Sequence, residues 1–267
     1  MRRNAAIAIA GIVALACLAA GGYIAYRLVK AGRNPPPPKT YTVVIPEGFT
    51  VKQTAERVEE STASHVTAGA FEAAAEGTYS YSFLEGTNGN LEGYLFPKTY
   101  EVTELESARQ VVKRMLRQFR EDTSTLDWTK ASALGITPYQ AVIVASIIEK
   151  EVKVPEERPL VASVIYNRLK QGMKLGMCST VQYALGHWKP ELSEGDLKVD
   201  SPYNTYLIEG LPPAPICNPG FESIRAALNP AATDYIYYIL TSPSEGRHSF
   251  TSDYQQFEKW KQEQNAK

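Results

Sequence analysis

The sequence predicts an α+β protein, with an N-terminal transmembrane helix in front of a body that mixes short strands with amphipathic helices. Three observations carry that reading. Ala5 to Tyr26 runs without a charged residue for roughly 22 positions, enough helix to cross a hydrocarbon layer of about 30 Å. Tyr41 to Ile45 alternates like a strand, and YIYYIL at 235–240 has the β-branched and aromatic content of another. The stretches 104–120, 138–152 and 155–173 instead repeat their apolar residues at helical spacing. A chain of 267 residues, net charge −1 and 44% hydrophobic content has enough material for one or two cores. Its lysines and arginines form no long run, so composition offers no electrostatic footprint for nucleic acid.

Arg2 and Arg3 precede the uncharged stretch, as in a secretory signal. A cleavable signal has an apolar region of about 7 to 15 residues, however, and this one continues to Tyr23 and Tyr26, so an uncleaved anchor over 1–30 is expected. Cys17 reads as an ordinary cysteine of that helix, because Ala14 stands where a lipobox carries Leu. Arg27, Lys30 and Arg33 on the far side balance the first two arginines, so charge bias leaves the topology open. Pro35 to Pro38 make 31–39 a stiff polyproline linker, and the folded body begins near Thr40.

After the first strand, Pro46 to Gly48 turn the chain, and Val51, Ala55 and Val58 begin a helix. A shorter helix is expected over 68–75, followed by a glycine-marked loop and a second unit from about residue 91. In 104–120, Val111, Val112, Met115, Leu116 and Phe119 share one face. Thr137 and Pro138 supply the cap and first-turn proline of the next helix. The helix after it turns Leu160, Val161, Val164, Ile165 and Leu169 inward and stops at Gly172. Residues 173–219 read as a long loop-rich segment of the kind that carries function. SIRAALNP and SDYQQFEKWKQ read as helices on either side of the second strand.

Chemistry is concentrated at the end of AVIVASIIEKEV. Val142, Ala145, Glu149 and Val152 fall on one stripe, so Glu149 interrupts an apolar line while Glu151 points about 200° away. Burial and the helix C-terminus both favour a protonated carboxyl there, as a general acid needs. Lys153, four residues on, supports the opposite reading of a solvated helix end. His65, His187 and His248 have no metal-ligand spacing, and no phosphate loop, dinucleotide fingerprint or nucleophile elbow occurs. No metal or cofactor is expected. Cys178 and Cys217 are either two buried free thiols or a disulfide closing about 39 residues, worth roughly 3 to 4 kcal/mol in an oxidising compartment. In SPYNTYLIEGLPPAP, Tyr203, Asn204, Thr205 and Tyr206 make an aromatic and amide mixture that suits a sugar or simply packs.

ASIIEKEV, VASVIYNRLKQGMKL, STVQYALG, SPYNTYLIEGLPPAPICNPG and AALNPAATDYIYYI, in that order, closely resemble the YceG-like family of endolytic murein transglycosylases. IPEGFTVKQTAERV is similar to that family's LysM-like subdomain, placed here at 40–90, and LEGYLFPKTYEV to the junction before a catalytic domain at 91–267. The resemblance implies a single-pass membrane protein, N-terminus inside, whose extracytoplasmic domain cuts nascent peptidoglycan strands between N-acetylmuramic acid and N-acetylglucosamine. Its partners would be glycan strands, the bilayer and proteins of cell-wall synthesis. Glu149 matches the family's single acid/base, which protonates the glycosidic oxygen and then deprotonates the muramyl 6-hydroxyl, closing a 1,6-anhydro ring without water. Thr180, Gln182, Tyr183, Tyr203, Asn204, Thr205 and Tyr206 would line the sugar groove. A hydrolase, or a scaffold that binds peptidoglycan without cutting it, is the alternative.

The chain departs from the family in two places. Met177, Cys178 and Ser179 stand where many relatives have Ser or Thr followed by Asp-Pro, so an aspartate role does not transfer. Lys98 replaces the usual Asp of the junction. Some relatives pair a cysteine like Cys178 with the one in PICNPG, which implies a Cys178–Cys217 disulfide. His248 matches a family histidine for which packing is at least as good a role as catalysis.

Overall fold

The computed structural model describes residues 2–33 and 37–265, with side chains for 16–30, 32 and 37–264. The chain divides into two units, 1–39 and 40–267. The first contains helix α1 (Arg2–Arg33). Among the described residues no helix is long and apolar enough to cross a membrane. Half of the uncharged stretch expected to form the anchor, Ala5 to Tyr26, lies outside the residues whose side chains are described.

The second unit opens with β1 (Thr40–Val44), α2 (Val51–Ser61), α3 (Ala68–Ala75) and β2 (Thr99–Thr103). The strands pair antiparallel with Val43 opposite Tyr100 and Tyr41 opposite Val102. Pleating sends Val43, Tyr100 and Val102 to one face, where they are buried against Ala55, Val58 and Phe71 of the two helices. Thr50 caps α2 through a reciprocal box with Gln53, at 3.1 and 3.0 Å. The β1–β2 pairing joins segments on either side of residue 90, so this small βααβ layer extends to Thr103. Sequence periodicity did not disclose β2, whose five residues begin one position after the turn-rich LEGYLFP segment.

Next come α4 (Ala108–Asp122), the single turn α5 (Lys130–Ala133), α6 (Pro138–Glu151) and α7 (Arg158–Lys170). Helix α4 buries the five residues its spacing predicts. Helix α6 is buried on every side from Ala141 to Ile148, which makes it the central rod of the body. Thr137 accepts from the amide of Gln140 at 3.1 Å and Pro138 occupies the first turn, as predicted. Helix α7 covers α6 with Val161, Val164 and Ile165, and Gly172, at φ +66, follows its end.

The segment expected to be loop-rich contains a helix that the sequence reading did not mark, α8 (Cys178–Leu185), ended by Gly186 in the left-handed conformation. Eight residues are too few to display a helical period among so many turn residues. Helix α9 (Phe221–Leu228) packs on α6 and α7. A hairpin of β3 (Tyr237–Ser242) and β4 (Arg247–Thr251) and helix α10 (Tyr254–Asn265) complete the unit. The expected strand is displaced by two residues and acquires a partner, RHSFT, that alternation had not marked.

Candidate active site

Glu149 lies on the last turn of α6 and is half-buried, the first residue after the fully enclosed run 141–148. Its Oε2 accepts from the amide of Gly220 at 3.0 Å and the hydroxyl of Ser223 at 2.7 Å. Both donors belong to the N-terminal end of α9, whose exposed amides welcome an anion. Arg158 Nε donates to the same Ser223 hydroxyl at 3.2 Å. Among the described residues Oε1 has no hydrogen-bond partner. One oxygen is therefore held and the other is available. Glu149 forms no ion pair with Lys153, among the described residues; the Lys153 stem packs instead at Gly246, in the β3–β4 turn.

Two distant segments close over this carboxylate. The Glu47–Gly48 turn after β1 docks on the 217–220 loop: Gly48 N donates to Asn218 O at 2.9 Å, and Asn218 N donates to Phe49 O at 2.8 Å. Gly48 has φ +79 and its Cα faces Glu149 Cγ and Lys150 Cδ, so a glycine fits both the turn and the close approach. Lys150 Nζ fastens the same turn by donating to Gly48 O at 3.3 Å. Wholly buried Asn218 uses its amide in both directions: Oδ1 accepts from Gly93 N and Leu95 N, and Nδ2 donates to Phe49 O at 2.9 Å. The 216–218 strip is also bound to α6, with Ile216 N donating to Ser146 Oγ at 3.0 Å and Cys217 Sγ to Ser146 O at 3.4 Å.

Glu92 is 5% exposed and accepts from Val51 N at 3.0 Å, in the first turn of α2, and from Tyr183 Oη at 3.4 Å. Burial pushes its carboxyl up to about 8, against the opposing pull of those two donors. It lines a cleft of about 540 Å³ whose walls include Gln53, Lys150, Gln182, Tyr183 and Trp188. Trp188 is 72% exposed there, a free aromatic face beside polar groups. A larger cavity of about 710 Å³, walled by Phe83, Tyr94, Phe119, Trp128 and Tyr139, includes none of the groups around the Glu149 carboxylate.

The profile of the YceG-like family matches residues 20–263. The chain belongs to the YceG-like family. It is similar over 87% of its length, at 31% identity and a TM-score of 0.72, to the crystal structure of a yceG-like protein of Listeria monocytogenes, covering 80% of that chain. It is also 40% identical over 156 residues to an endolytic murein transglycosylase of Bacillus subtilis, and 31% identical over 236 residues to one of Streptococcus pneumoniae. These matches take in 58% and 79% of the present chain, which spans 43% of the length of either curated relative.

Within this YceG-like body the predicted groove residues separate into two sets. Thr180, Asn204 and Thr205 are wholly buried and engaged internally. Thr180 Oγ1 donates to Met177 O at 2.7 Å, Thr205 Oγ1 accepts from Met177 N at 2.9 Å, and Asn204 Nδ2 donates to Leu197 O and Val199 O. They fasten α8 and its neighbouring loop. Gln182, Tyr183, Tyr203 and Tyr206 are half-buried. Gln182 and Tyr183 face the cleft, and the Tyr183 ring leans on Tyr203 with centroids 4.8 Å apart.

The expected disulfide is absent. Cys178 and Cys217 are both free thiols, the first exposed with Sγ 3.1 Å from Tyr206 Oη, the second fully buried against the Ser146 carbonyl. Each sulfur is engaged by a different element, and the helix that Cys178 begins, absent from the sequence reading, is what sets it apart. Glu151 is a support: it accepts from Ser179 N at 3.0 Å and Tyr238 Oη at 2.8 Å, tying α8 to β3. His248 packs, its backbone and ring nitrogens bonded to the buried Glu157 at 2.9 and 2.7 Å. Lys98 pairs with Asp122 of α4 at 2.9 Å. Sequence reasoning missed Glu47, Glu92, Asn218, Gly220 and Ser223, although the first four stand in the quoted IPEG, LEGYLFP and PICNPG motifs.

Proposed function

We propose that this protein is a membrane-anchored endolytic lytic transglycosylase that cleaves peptidoglycan strands between N-acetylmuramic acid and N-acetylglucosamine and leaves 1,6-anhydro ends. The observation that supports this best is the half-held carboxyl of Glu149: a rigid, enclosed helix fixes its position, α9 fixes Oε2, and Oε1 stays free for a proton. Protonated Glu149 gives its proton to the glycosidic oxygen as the bond to the muramyl C1 breaks. The carboxylate then takes the proton of the 6-hydroxyl, whose oxygen closes on C1. One group serves twice, so the reaction needs no activated water.

Gln182, Tyr183 and Trp188 offer hydrogen-bonding edges and aromatic faces to the sugars, with Tyr203 packed behind Tyr183. Thr180, Asn204 and Thr205 shape that wall from behind. The βααβ unit is read as the LysM-like subdomain, and residues 1–30 as a single-pass anchor that leaves the body on the extracytoplasmic side, within reach of cell-wall synthesis proteins.

Glu149→Gln in the purified protein, assayed on peptidoglycan by mass spectrometry, should abolish anhydromuramyl ends while strand binding persists. Ends formed at the wild-type rate would overturn the assignment. Products heavier by one water would identify a hydrolase, and binding without cleavage by the wild type a scaffold.

A further inference from the structure

Transglycosylation by Glu149 leaves a question that the sequence could not pose. Protonating the glycosidic oxygen before the 6-hydroxyl has closed leaves positive charge on C1 and the ring oxygen, and the one anion a single acid/base offers at that moment is its own new carboxylate, which must stay free to take the 6-hydroxyl proton. Glu47 stands beside the acid. It lies on the turn that closes over Glu149, and its carboxylate rests on Gly220, the residue whose amide holds Glu149 Oε2. A Cβ at Gly220 would fall 1.9 Å from Glu47 Oε1, so the carboxylate occupies the space a side chain would take.

Nothing in the fold needs Glu47 there. Its side chain keeps part of its surface in solvent, and among the described residues no hydrogen bond or ion pair engages its carboxylate. It nevertheless faces two like charges, Glu149 on α6 and Glu222 on α9, with Arg158 on α7 as the opposing charge and Lys150 bonded to the adjacent Gly48 carbonyl. An unpaired carboxylate kept beside another is a cost to stability with no structural return, the pattern expected of a reaction centre.

We propose that Glu47 is a second carboxylate of this centre, delivered by the βααβ unit to stabilise the positive charge that develops at the muramyl C1 while Glu149 transfers its proton. The inference rests on the transglycosylase reading above. Glu47 makes and breaks no bond: the proton moves from Glu149 to the leaving oxygen, the 6-oxygen bonds to C1, and its proton returns to Glu149. Partial burial and the neighbouring Glu149 push the Glu47 carboxyl upward, while Arg158 favours its charged form. The site is then composite, and the Glu47 turn completes it only when docked on the 217–220 loop.

Initial rates of anhydromuramyl formation by full-length Glu47→Gln should show kcat reduced about tenfold to a hundredfold with KM within about twofold, and Glu47→Asp should restore part of the loss. Gly220→Ala is the independent arm. Its φ of −75 suits alanine and the amide to Glu149 remains, but the new methyl must displace the Glu47 carboxylate, so kcat should fall without loss of thermal stability. Wild-type kcat in Glu47→Gln, or a loss that Asp does not restore and that follows a lowered melting temperature, overturns the proposal. Glu149→Gln run alongside separates the two readings. If it is inactive while Glu47→Gln is normal, only the role of Glu47 fails; if it is active, the transglycosylase reading fails first.

Discussion

Glu92 exposes its chemistry to a measurement that needs no substrate. Its ordinary carboxyl value is 4.5 and burial raises it to about 8, so between those limits the folded protein keeps a proton that the unfolded chain has released. Fewer protons on the unfolded state mean that stability falls as pH rises through this window; below it both states are protonated, and above it both are ionised. Glu92→Gln keeps an acceptor for Val51 N but cannot titrate. Its melting temperature relative to wild type should therefore climb between pH 5 and pH 8, by up to about 1.4 kcal/mol of relative stability per pH unit. A difference that does not change with pH would show that Glu92 ionises normally. Residues such as this one were illegible in sequence because their meaning lies in partners up to 126 positions away, as in the Glu92–Asn218 contact. Glu149 was half-legible: its stripe was visible, but the donors from Gly220 and Ser223 come from a helix 71 to 74 residues downstream.

Elements with a strong period were read well, and of the short ones β1, α3 and α9 were found while three others were not. The buried faces of α4 and α7 and the cap of α6 follow from spacing and from Thr137-Pro138. Strands β2 and β4 and helix α8 are five to eight residues long and owe their form to what they pack against. A close contact between elements is at Gly93, where φ is +94 and an added Cβ would lie 2.7 Å from Pro215 Cγ and 2.8 Å from Val142 Cγ1 of α6. Gly93→Ala combines left-handed strain of about 1 to 2 kcal/mol with overpacking of about 1 to 3 kcal/mol. Gly135→Ala, at φ +77 with open space around it, carries the strain alone. Urea unfolding should rank Gly93→Ala clearly below Gly135→Ala, and Gly93→Ala should also lose activity because the shift that its methyl forces draws the residue 93 amide away from Asn218 Oδ1. Equal midpoints would mean that the junction yields without cost.

At the scale of the molecule, the buried core is confined to one part of the chain. Every residue of the buried core belongs to 43–228, within the second unit, and the first unit contributes none among the described residues. The uncharged run of residues 5–26 has composition suited to a bilayer, so its removal should change where the protein resides and leave the fold alone. A chain beginning at Thr40 should unfold at the same denaturant midpoint as the full-length protein and cleave soluble glycan fragments at the same kcat. On flotation with phospholipid vesicles the full-length chain should rise with the lipid and the shortened one should stay behind. If both float, the second unit binds lipid by itself; if neither does, residues 1–39 are no anchor. A lower midpoint for the shortened chain would instead show that the first unit supports the core, against the separation of contacts on which this prediction stands.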